Sequence, residues 1–350
     1  MSSNLAQIAR QTGVSMATVS LALRDKGRMS QETRDKVKAA AEALNYHVHP
    51  LLSRAFSIAR RSNAIQYRET LAFLIEYPMD PNRFYQQSLF DAARESASKL
   101  GYLLEPFLIT DEPSDQIRVS HILRARGIRG LIIVPRLSFA HPRLHFEWEH
   151  FAAVQIYRTI WNPPNLHYIA STDYEKVLEA MHLLKKVGYK RIGMAIEPPQ
   201  NNLQRGTFVA AYLVLQAKVP VSQRIPPLLS YGPWNEATFR KWMARYNPDV
   251  LYVHQHPVIF SWIKKLGLSI PEDISVFCEN VQEPHLSGLR RDYVGMGQSA
   301  VEMISILLGN DTLGLPGNPR SWHVDEFWQV GASLKFSITD HVTPDGYMVR

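Results

Sequence analysis

Residues 12–27 read TGVSMATVSLALRDKG, and this stretch decides the fold of the N-terminal part of the chain. Gly13 permits a tight turn, and Ser15 is of a residue type that caps helices. Apolar residues then recur at helical spacing. A second helical pattern precedes this stretch from Asn4, and a third follows from Ser30. Two short helices joined by a tight turn, with a third helix as support, are typical of a helix-turn-helix module.

Basic charge is concentrated in the same part of the chain. Residues 1–61 hold ten Lys and Arg and four Asp and Glu, a net charge of +6, whereas all 350 residues together carry +7. Neutralisation of phosphates supplies most of the non-specific affinity of proteins for DNA. A basic N-terminal segment attached to a nearly neutral body therefore favours a polyanion-binding module, although a solvated charged surface would have the same composition.

The composition also argues against several classes of protein. The chain has no run of 18 apolar residues, and its N-terminus, MSSNLAQIARQTG, lacks the apolar core of a signal peptide. We therefore expect a cytoplasmic protein with no membrane contact. Cys278 is the single cysteine, which excludes a disulfide framework. Neither G-x-S-x-G nor a Walker loop nor G-x-G-x-x-G occurs, so neither an enzyme activity nor a cofactor is predicted.

Two histidine pairs have a spacing that suits two ligands of one metal ion. They are His47 with His49, and His254 with His256. No third and fourth ligand cluster accompanies either pair, and alternation along a strand places such residues on one face by default. We therefore predict no metal site.

The body of the chain alternates short apolar runs with helical patterns. A first set of runs, TLAFLIEY, LLEPFLI, GLIIVP and FAAVQIY, alternates with helical patterns at 85–100, 114–126 and 144–150. A second set, RIGMAI, PPLLSY, DVLYV and ISVF, alternates with helical patterns at 173–188, 203–217, 234–245 and 257–267. Nearly continuous apolar runs indicate buried parallel strands. Two sets predict two doubly wound α/β lobes, with a ligand crevice at the carboxyl ends of the strands.

Residues 5–46, LAQIARQTGVSMATVSLALRDKGRMSQETRDKVKAAAEALNY, closely resemble the DNA-binding domain of the LacI/GalR transcription regulators. Segments of the body, among them GIRGLIIVP, LLKKVGYKRIGMAI and LGLSIPEDISVF, occur in the order typical of that family. The resemblance implies a helix-turn-helix domain at 1–46, a hinge or linker at 47–69, and a two-lobed periplasmic-binding-protein-like α/β body at 70–350. It further implies a homodimer that binds a double-stranded DNA operator, acts more often as a repressor than as an activator, and responds to a small carbohydrate-like effector between its lobes.

The resemblance also assigns DNA contacts residue by residue. DNA-facing positions are Asn4, Leu5, Ser15, Met16, Ala17, Thr18, Ser20, Leu21 and Arg24, and positions near phosphates are Arg28, Ser30 and Thr33. Hydroxyl groups at such positions donate to phosphate and carry no sequence information. Met16, Ala17 and Leu21 fall where the family places its specificity residues, and apolar side chains there favour thymine methyl groups. Ser15 could equally serve as a helix cap, and Met16 and Leu21 could pack on the linker.

The linker departs from the family pattern. Members of the family insert leucine side chains of a hinge helix into the minor groove, which opens one base step. Here Leu51 or Leu52 is the candidate for this wedge, in a helix that starts at Pro50. An apolar stripe through Leu52, Ala55 and Phe56 fits equally well with packing on the body or on a partner.

The effector cleft departs from the family pattern as well. The segment CENVQEP, residues 278–284, places Asn280 where the family has a sugar-binding Asp. Gln204 takes the position of the family's sugar-binding Arg, with Arg205 beside it, and Trp234 matches an aromatic position that stacks on sugar. We predict effector binding by Arg205, Trp234, Gln255 and Asn280. Trp234 could instead pack in the core. The altered segment leaves open a DNA-binding regulator without a sugar effector, and a cytoplasmic solute-binding protein is a further alternative.

Overall fold

The computed structural model describes residues 4–15, 18–19, 22–23, 29–44, 69–79, 84–136, 142–198, 205–254 and 257–348. The chain divides into two compact units, residues 1–66 and 67–350. The predicted linker at 47–69 lies outside the described residues except for Glu69, and so do the candidate wedge residues Leu51 and Leu52.

The first unit contains helices α1 (Asn4–Thr12) and α2 (Gln31–Ala43), and Thr18, Val19 and Ala22 between them are also helical. The chain turns at Gly13, whose φ of 71° is in the region that glycine adopts most easily. A small core joins the helices, and its buried members are Ile8, Val19, Ala22, Val37, Ala40 and Ala41. Burial of these apolar side chains at helical spacing is what holds so small a unit together.

The second unit has two lobes, and lobe one is built on a six-stranded sheet. Its elements are β1 (Glu69–Ile75), α3 (Phe84–Lys99), β2 (Tyr102–Leu108), α4 (Pro113–Ala125), β3 (Gly130–Ile133), β4 (Ala152–Ile156) and β5 (His167–Ser171). These strands are parallel to one another in the order β5-β4-β3-β1-β2. Separate apolar clusters lie on the two faces of the sheet, so the central strands are buried on both sides.

Lobe two is built on a five-stranded sheet. Its elements are α5 (Asp173–Val187), β6 (Ile192–Ala195), α6 (Thr207–Ala217), α7 (Leu228–Tyr231), α8 (Glu236–Tyr246), β7 (Val250–His254), α9 (Pro257–Lys265), β8 (Ser275–Glu279) and β9 (Ser287–Arg290). Helix α10 (Tyr293–Gly309) then packs on lobe one, β10 (Ser321–Val324) joins β5, and β11 (Phe327–Gln329) pairs antiparallel with β9. The sheet order is β11-β9-β8-β7-β6, and all its pairs except β11–β9 are parallel.

The chain passes between the lobes three times. These crossovers join β5 to α5, β9 to α10, and β10 to β11. The residues at the crossovers therefore lie beside both sheets, which makes them the natural hinge of the two-lobed body.

Two sequence predictions about secondary structure were wrong. PPLLSY was predicted as a strand, but Leu228–Tyr231 is a short helix that follows Pro227, because proline readily precedes the first helical turn and a short apolar run does not distinguish strand from helix. Residues 144–150 were predicted as a helix, but only Trp148–His150 form a 3₁₀ turn. Leu144 and Phe146 are buried and His145 between them is exposed, so this segment follows a period of two.

None of the helices in the described part of the chain is both long and apolar enough to span a bilayer.

Candidate nucleic-acid interface and interlobe cleft

The turn of the N-terminal unit is fixed by hydrogen bonds at both of its ends. Gly13 and Val14 donate from their amides to the carbonyl oxygen of Ala9 at 2.9 and 3.2 Å, which closes α1. The Ser15 hydroxyl then accepts a hydrogen bond from the Thr18 amide at 3.1 Å and lies 2.9 Å from the Thr18 hydroxyl. Ser15 thus caps the helix that follows, which satisfies an amide that would otherwise lack a partner.

Helix α2 begins in the same way. The Ser30 hydroxyl accepts from the Thr33 amide at 3.2 Å and lies 2.8 Å from the Thr33 hydroxyl. The cap predicted at Ser30 is confirmed. Ser15 and Ser30 are exposed, and Thr18 and Thr33 are partly exposed. Two helix starts that carry exposed or partly exposed hydroxyl groups are chemically suited to phosphate oxygens.

The structure locates only part of the predicted DNA interface. Asn4 and Leu5 begin α1, but their side chains are not described. The remaining predicted contacts in this unit lie outside the described residues, namely Met16, Ala17, Ser20, Leu21, Arg24 and Arg28. The DNA contacts assigned to individual residues stay predictions.

In lobe two, polar side chains gather where strands β6, β7 and β8 end. His254 ends β7 opposite Glu279 of β8, and Glu197 follows β6 by two residues. The His254 Nδ1 atom lies 3.2 Å from Glu197 Oε1, and its Nε2 atom lies 3.8 Å from Glu279 Oε2. These three side chains form a carboxylate–imidazole–carboxylate row at the edge where doubly wound sheets bind ligands.

Asn280 follows β8 at this same edge. Its φ of 62° is left-handed, which asparagine tolerates better than most residues, and its side chain is largely buried. The Asn280 side chain shares a hydrogen bond with Tyr293 of α10, an element packed on lobe one. Asn280 therefore spans the space between the lobes, in a position where it can meet a ligand held there.

Arg205 connects lobe two to lobe one. Its guanidinium donates to the carbonyl oxygens of Arg158 at 2.9 Å and Ile160 at 3.1 Å, in the segment after β4. The guanidinium also lies 4.5 Å from the centroid of the Trp161 ring. Burial and the nearby Arg158 lower the pKa of Arg205. Arg205 thus holds the two lobes together at this edge, and its predicted role toward an effector stays a prediction.

Trp234 packs against Trp262 of helix α9. Its ring is partly buried, 5.6 Å from the centroid of the Trp262 ring of α9, and packs on the core on that face of the lobe-two sheet. One part of the Trp234 ring therefore packs on the core, and its predicted role toward an effector stays a prediction. Gln255, the remaining predicted effector residue, lies outside the described residues, as do His256, His47 and His49.

Lobe one contributes a buried arginine to the carboxyl edge of its own sheet. Arg136, three residues after β3, is 1% exposed. Its guanidinium pairs with Asp111 at 2.5 Å, donates to the carbonyl oxygen of Ile109 at 3.4 Å, and lies 4.0 Å from Glu76. The charge of this arginine is therefore matched within lobe one.

A denser ionic cluster lies at the three crossovers. Asp173 begins α5, Arg291 follows β9, and Glu326 precedes β11, so each crossover supplies one member. The Arg291 Nε atom donates to Glu279 Oε1 at 2.9 Å, and its Nη2 atom donates to the same oxygen and to Asp173 Oδ1 at 3.2 Å. Arg291 Nη1 donates to the Tyr157 hydroxyl of lobe one at 2.7 Å. Arg291 thus bridges both lobes from the middle of the hinge.

Three carboxylates share this one guanidinium, and all of them are buried. One oxygen from each of Asp173, Glu279 and Glu326 lies within 4.8 Å of the others, a spacing that would also suit a metal ion. Arg291 already supplies a positive charge there, with Nε 3.5 Å from Glu326 Oε1. Burial raises the pKa of Glu326 to about 8 and that of Asp173 to about 6, since the attraction of Arg291 offsets only part of the desolvation.

This cluster was not predicted from the sequence. The quoted segment 278–284 contains Glu279 without a role for it, and Asp173, Arg291 and Glu326 were not predicted as site residues. A signal was present, because each of these residues directly follows or closely precedes a strand that pairs within a sheet. Charged residues next to the ends of paired strands lie close together in the fold. When they are buried, they need ion-pair or hydrogen-bond partners there.

The comparisons with known proteins agree with these two units. The family of bacterial regulatory proteins, lacI family, matches residues 4–48, and the periplasmic binding protein-like domain matches residues 181–316. The HTH-type transcriptional regulator MalR of Streptomyces coelicolor is 26% identical over 327 residues, which cover 87% of this chain and 90% of that protein. The maltose regulon regulatory protein MalI of Vibrio furnissii is 33% identical over 107 residues, 30% of this chain and 70% of that protein.

Solved structures agree on the fold. A lac repressor dimer bound to its operator and the anti-inducer ONPF superposes with a TM-score of 0.53 at 17% identity, covering 93% of this chain and 97% of that one. The N-terminal helix-turn-helix region and the two-lobed body together define a DNA-binding transcriptional regulator. The chain belongs to the LacI family.

Proposed function

We propose that this regulator binds a palindromic DNA operator as a homodimer, and that a small carbohydrate-like effector bound between its lobes changes operator affinity. The chain acts as a regulator and not as an enzyme, and it works in the cytoplasm, where the chromosome lies. The proposed division is a DNA-binding domain at 1–46, a linker at 47–69 and an effector-binding and dimerisation body at 70–350.

One observation carries the effector proposal: polar side chains from adjacent strand ends of lobe two converge beside the hinge. Glu197, His254 and Asn280 belong to this group, and Asn280 stands at the position that the family resemblance associates with sugar binding. Sugars are held by a few convergent polar groups that bond their hydroxyls. The name of the maltose regulon regulatory protein MalI makes maltose the first sugar to test.

The DNA proposal rests on the capped helix starts together with the charge of the N-terminal segment. Ser15 with Thr18, and Ser30 with Thr33, place hydroxyl groups at two helix starts, and hydroxyl groups suit phosphate oxygens. The net charge of +6 over residues 1–61 adds an attraction that salt must weaken. Effector control of this binding needs the lobes to differ in arrangement with and without ligand.

The test compares the full chain with a truncation that starts at residue 62. Duplexes selected from a random pool should be palindromic and should bind the full chain tightly, with an affinity that falls steeply as salt rises. The truncation should not bind them. Equal binding by the two proteins would overturn the DNA proposal.

A thermal-shift screen against neutral sugars, maltose first, tests the effector proposal. We expect at least one sugar both to raise the unfolding temperature of the full chain and to change its affinity for the selected duplex. If no sugar does both, while DNA binding persists, the regulator is controlled by a partner or acts constitutively. The contacts of Arg205 with lobe one would fit that second candidate, since they occupy a residue that was predicted to bind the effector.

A further inference from the structure

All three crossovers between the lobes meet in one ionic cluster. We name this the hinge cluster and define it as Asp173, Glu279, Arg291 and Glu326. Each of these side chains is at most 7% exposed. Arg291 donates to Glu279 of lobe two and to the Tyr157 hydroxyl of lobe one, so separation of the lobes must break at least one of these bonds.

The charges of the hinge cluster do not balance. Three carboxylates face one guanidinium, so full ionisation would leave excess negative charge in a region without solvent. Within the part of the chain that the structure describes, Glu279 Oε2 and Glu326 Oε1 accept no hydrogen bond. A buried ionised oxygen without a donor is costly, and one proton bound in the cluster reduces the excess negative charge.

We propose that the hinge cluster is a proton-operated latch between the lobes. A proton held on Glu326 keeps the three crossovers docked around Arg291. Loss of that proton leaves three neighbouring carboxylates around one guanidinium, and their repulsion favours separation of the lobes, which admits water to the cluster. The link from this latch to DNA affinity rests on the proposed function, whereas the latch itself does not.

The groups that face Glu326 supply little positive charge to keep it ionised. The groups that face it, element by element, are the Tyr157 phenol after β4, the Ser171 hydroxyl of β5, Asp173 of α5, the Tyr252 phenol of β7, Glu279 of β8, and Arg291 with the Tyr293 phenol around the start of α10. Arg291 is the one cation among these groups. Lys176 of α5 is 3.0 Å from both Glu179 and Asp325, and its charge is matched there.

The latch also reaches the cleft. Glu279 belongs to the hinge cluster and lies 3.8 Å from His254 Nε2, while the other side of that imidazole lies 3.2 Å from Glu197. His254 and Glu197 are partly exposed, unlike the hinge cluster itself. A ligand that contacts this row changes the electrostatic potential at Glu279. It therefore also changes the affinity of the hinge cluster for its proton.

The sign of the pH dependence follows from burial. Since the pKa of Glu326 is raised to about 8 from an ordinary value of 4.5, the unfolded chain releases this proton at lower pH than the folded chain does. Its contribution to stability is therefore complete in acid and is lost as the pH rises from about 4.5 to 8. Where the two states differ by one proton, the unfolding equilibrium constant rises about tenfold for each pH unit. Asp173 adds a loss of the same sign at lower pH, up to about 6.

The first experiment measures unfolding of the full chain without ligand between pH 5.5 and 8.5, for wild type and Glu326→Gln. The amide keeps the shape of the protonated carboxyl and cannot ionise. We expect the wild type to lose stability with rising pH, and the variant to lose markedly less and to be the more stable protein at pH 8. The control is Glu272→Gln, which removes an exposed carboxylate of lobe two and should follow the wild-type pH profile. An identical slope in wild type and Glu326→Gln, or a variant less stable at every pH, would overturn the latch.

The second experiment measures the lobe arrangement by hydrogen exchange, corrected for the intrinsic effect of pH. Peptides covering the crossovers at 171–175, 289–293 and 324–328 should exchange faster at pH 8 than at pH 6 in wild type, and equally at both in Glu326→Gln. The same change of exchange rate with pH in wild type and in Glu326→Gln would contradict the proposal. Operator affinity at the two pH values is measured alongside: no binding at either pH counts against the proposed function alone, and binding with the same pH ratio in both proteins counts against the latch alone.

Discussion

The guanidinium of Arg205 lies 4.5 Å from the centroid of the Trp161 ring, so a residue that leads into a helix of lobe two stacks on lobe one. The same side chain donates to two carbonyl oxygens of that segment, at residues 158 and 160. Planar stacking combined with a forked set of donors is a property of arginine that lysine does not share. Arg205 is therefore a specific contact between the lobes, 86 residues before the hinge arginine Arg291 in the sequence.

Replacement of Arg205 by alanine should loosen the segment after β4. Both hydrogen bonds and the stacking contact are lost, and each hydrogen bond contributes about 0.5–1.5 kcal/mol, toward the lower end at this exposed position. Hydrogen exchange of a peptide covering 157–161 should become faster in Arg205→Ala. Arg205→Lys keeps the charge but not the fork, and it should resemble alanine more than wild type. Unchanged exchange in Arg205→Ala would show that the contact does not hold the lobes.

The reading of DNA sequence is predicted to depend on Met16 and Ala17. These residues lie outside the described part of the structure, and the prediction comes from their position in the family motif. Apolar side chains there favour thymine methyl groups, whereas glutamine reads adenine through two hydrogen bonds. Met16→Gln or Ala17→Gln should change the consensus obtained by selection from random duplexes, at a cost of about 1–3 kcal/mol on the original operator. Thr18→Ser, which retains the hydroxyl, should leave the consensus as it is. An unaltered consensus in both glutamine variants would move specificity to the linker.

Much of the fold could be predicted because parallel strands are buried on both faces. In β1, residues 71–75 are all buried, so the strand reads as a continuous apolar run without any knowledge of its partners. The short strands β10 and β11 escaped prediction because their alternating or partial burial depends on pairing with β5 and β9, which lie far away in sequence. Leu228–Tyr231 was assigned to the wrong class because four apolar residues fit either structure.

Only the parts of the candidate sites that consist of local sequence motifs could be predicted. The caps at Ser15 and Ser30 are local, since each hydroxyl meets an amide three residues later. The hinge cluster is not local: Arg291 meets Asp173 across 118 residues and Tyr157 across 134. Contacts of this kind follow from the threefold passage of the chain between the lobes, and no spacing in the sequence encodes them.

The close approach of α3 and α10 should make Gly297 intolerant of any side chain. A Cβ atom at Gly297 would lie 2.6 Å from the carbonyl oxygen of Leu89 and 3.1 Å from the amide nitrogen of Ala93, both backbone atoms of α3. We expect Gly297→Ala to destabilise the body by about 1–3 kcal/mol, measured by chemical denaturation of the full chain. Gly309 ends the same helix with nothing within 4 Å of its added Cβ, and Gly309→Ala should be neutral or stabilising by up to about 1 kcal/mol. Equal effects of the two substitutions would rule out the steric explanation.

Two substitutions of Ser30 distinguish its role as the cap of α2 from a role in contact with DNA. Ser30→Ala removes the acceptor of the Thr33 amide and should cost about 1 kcal/mol, seen as faster hydrogen exchange of a peptide covering 30–44. Ser30→Asp keeps an acceptor for the Thr33 amide, and its negative charge is favourable at the N-terminus of a helix. Exchange should therefore stay near the wild-type rate. The same aspartate would face phosphates if Ser30 contacts DNA, and operator affinity should then fall further in Ser30→Asp than in Ser30→Ala, most of all at low salt where charges are least screened. If Ser30→Asp binds the operator as well as wild type at low salt, Ser30 lies away from the phosphates and its role is the cap alone.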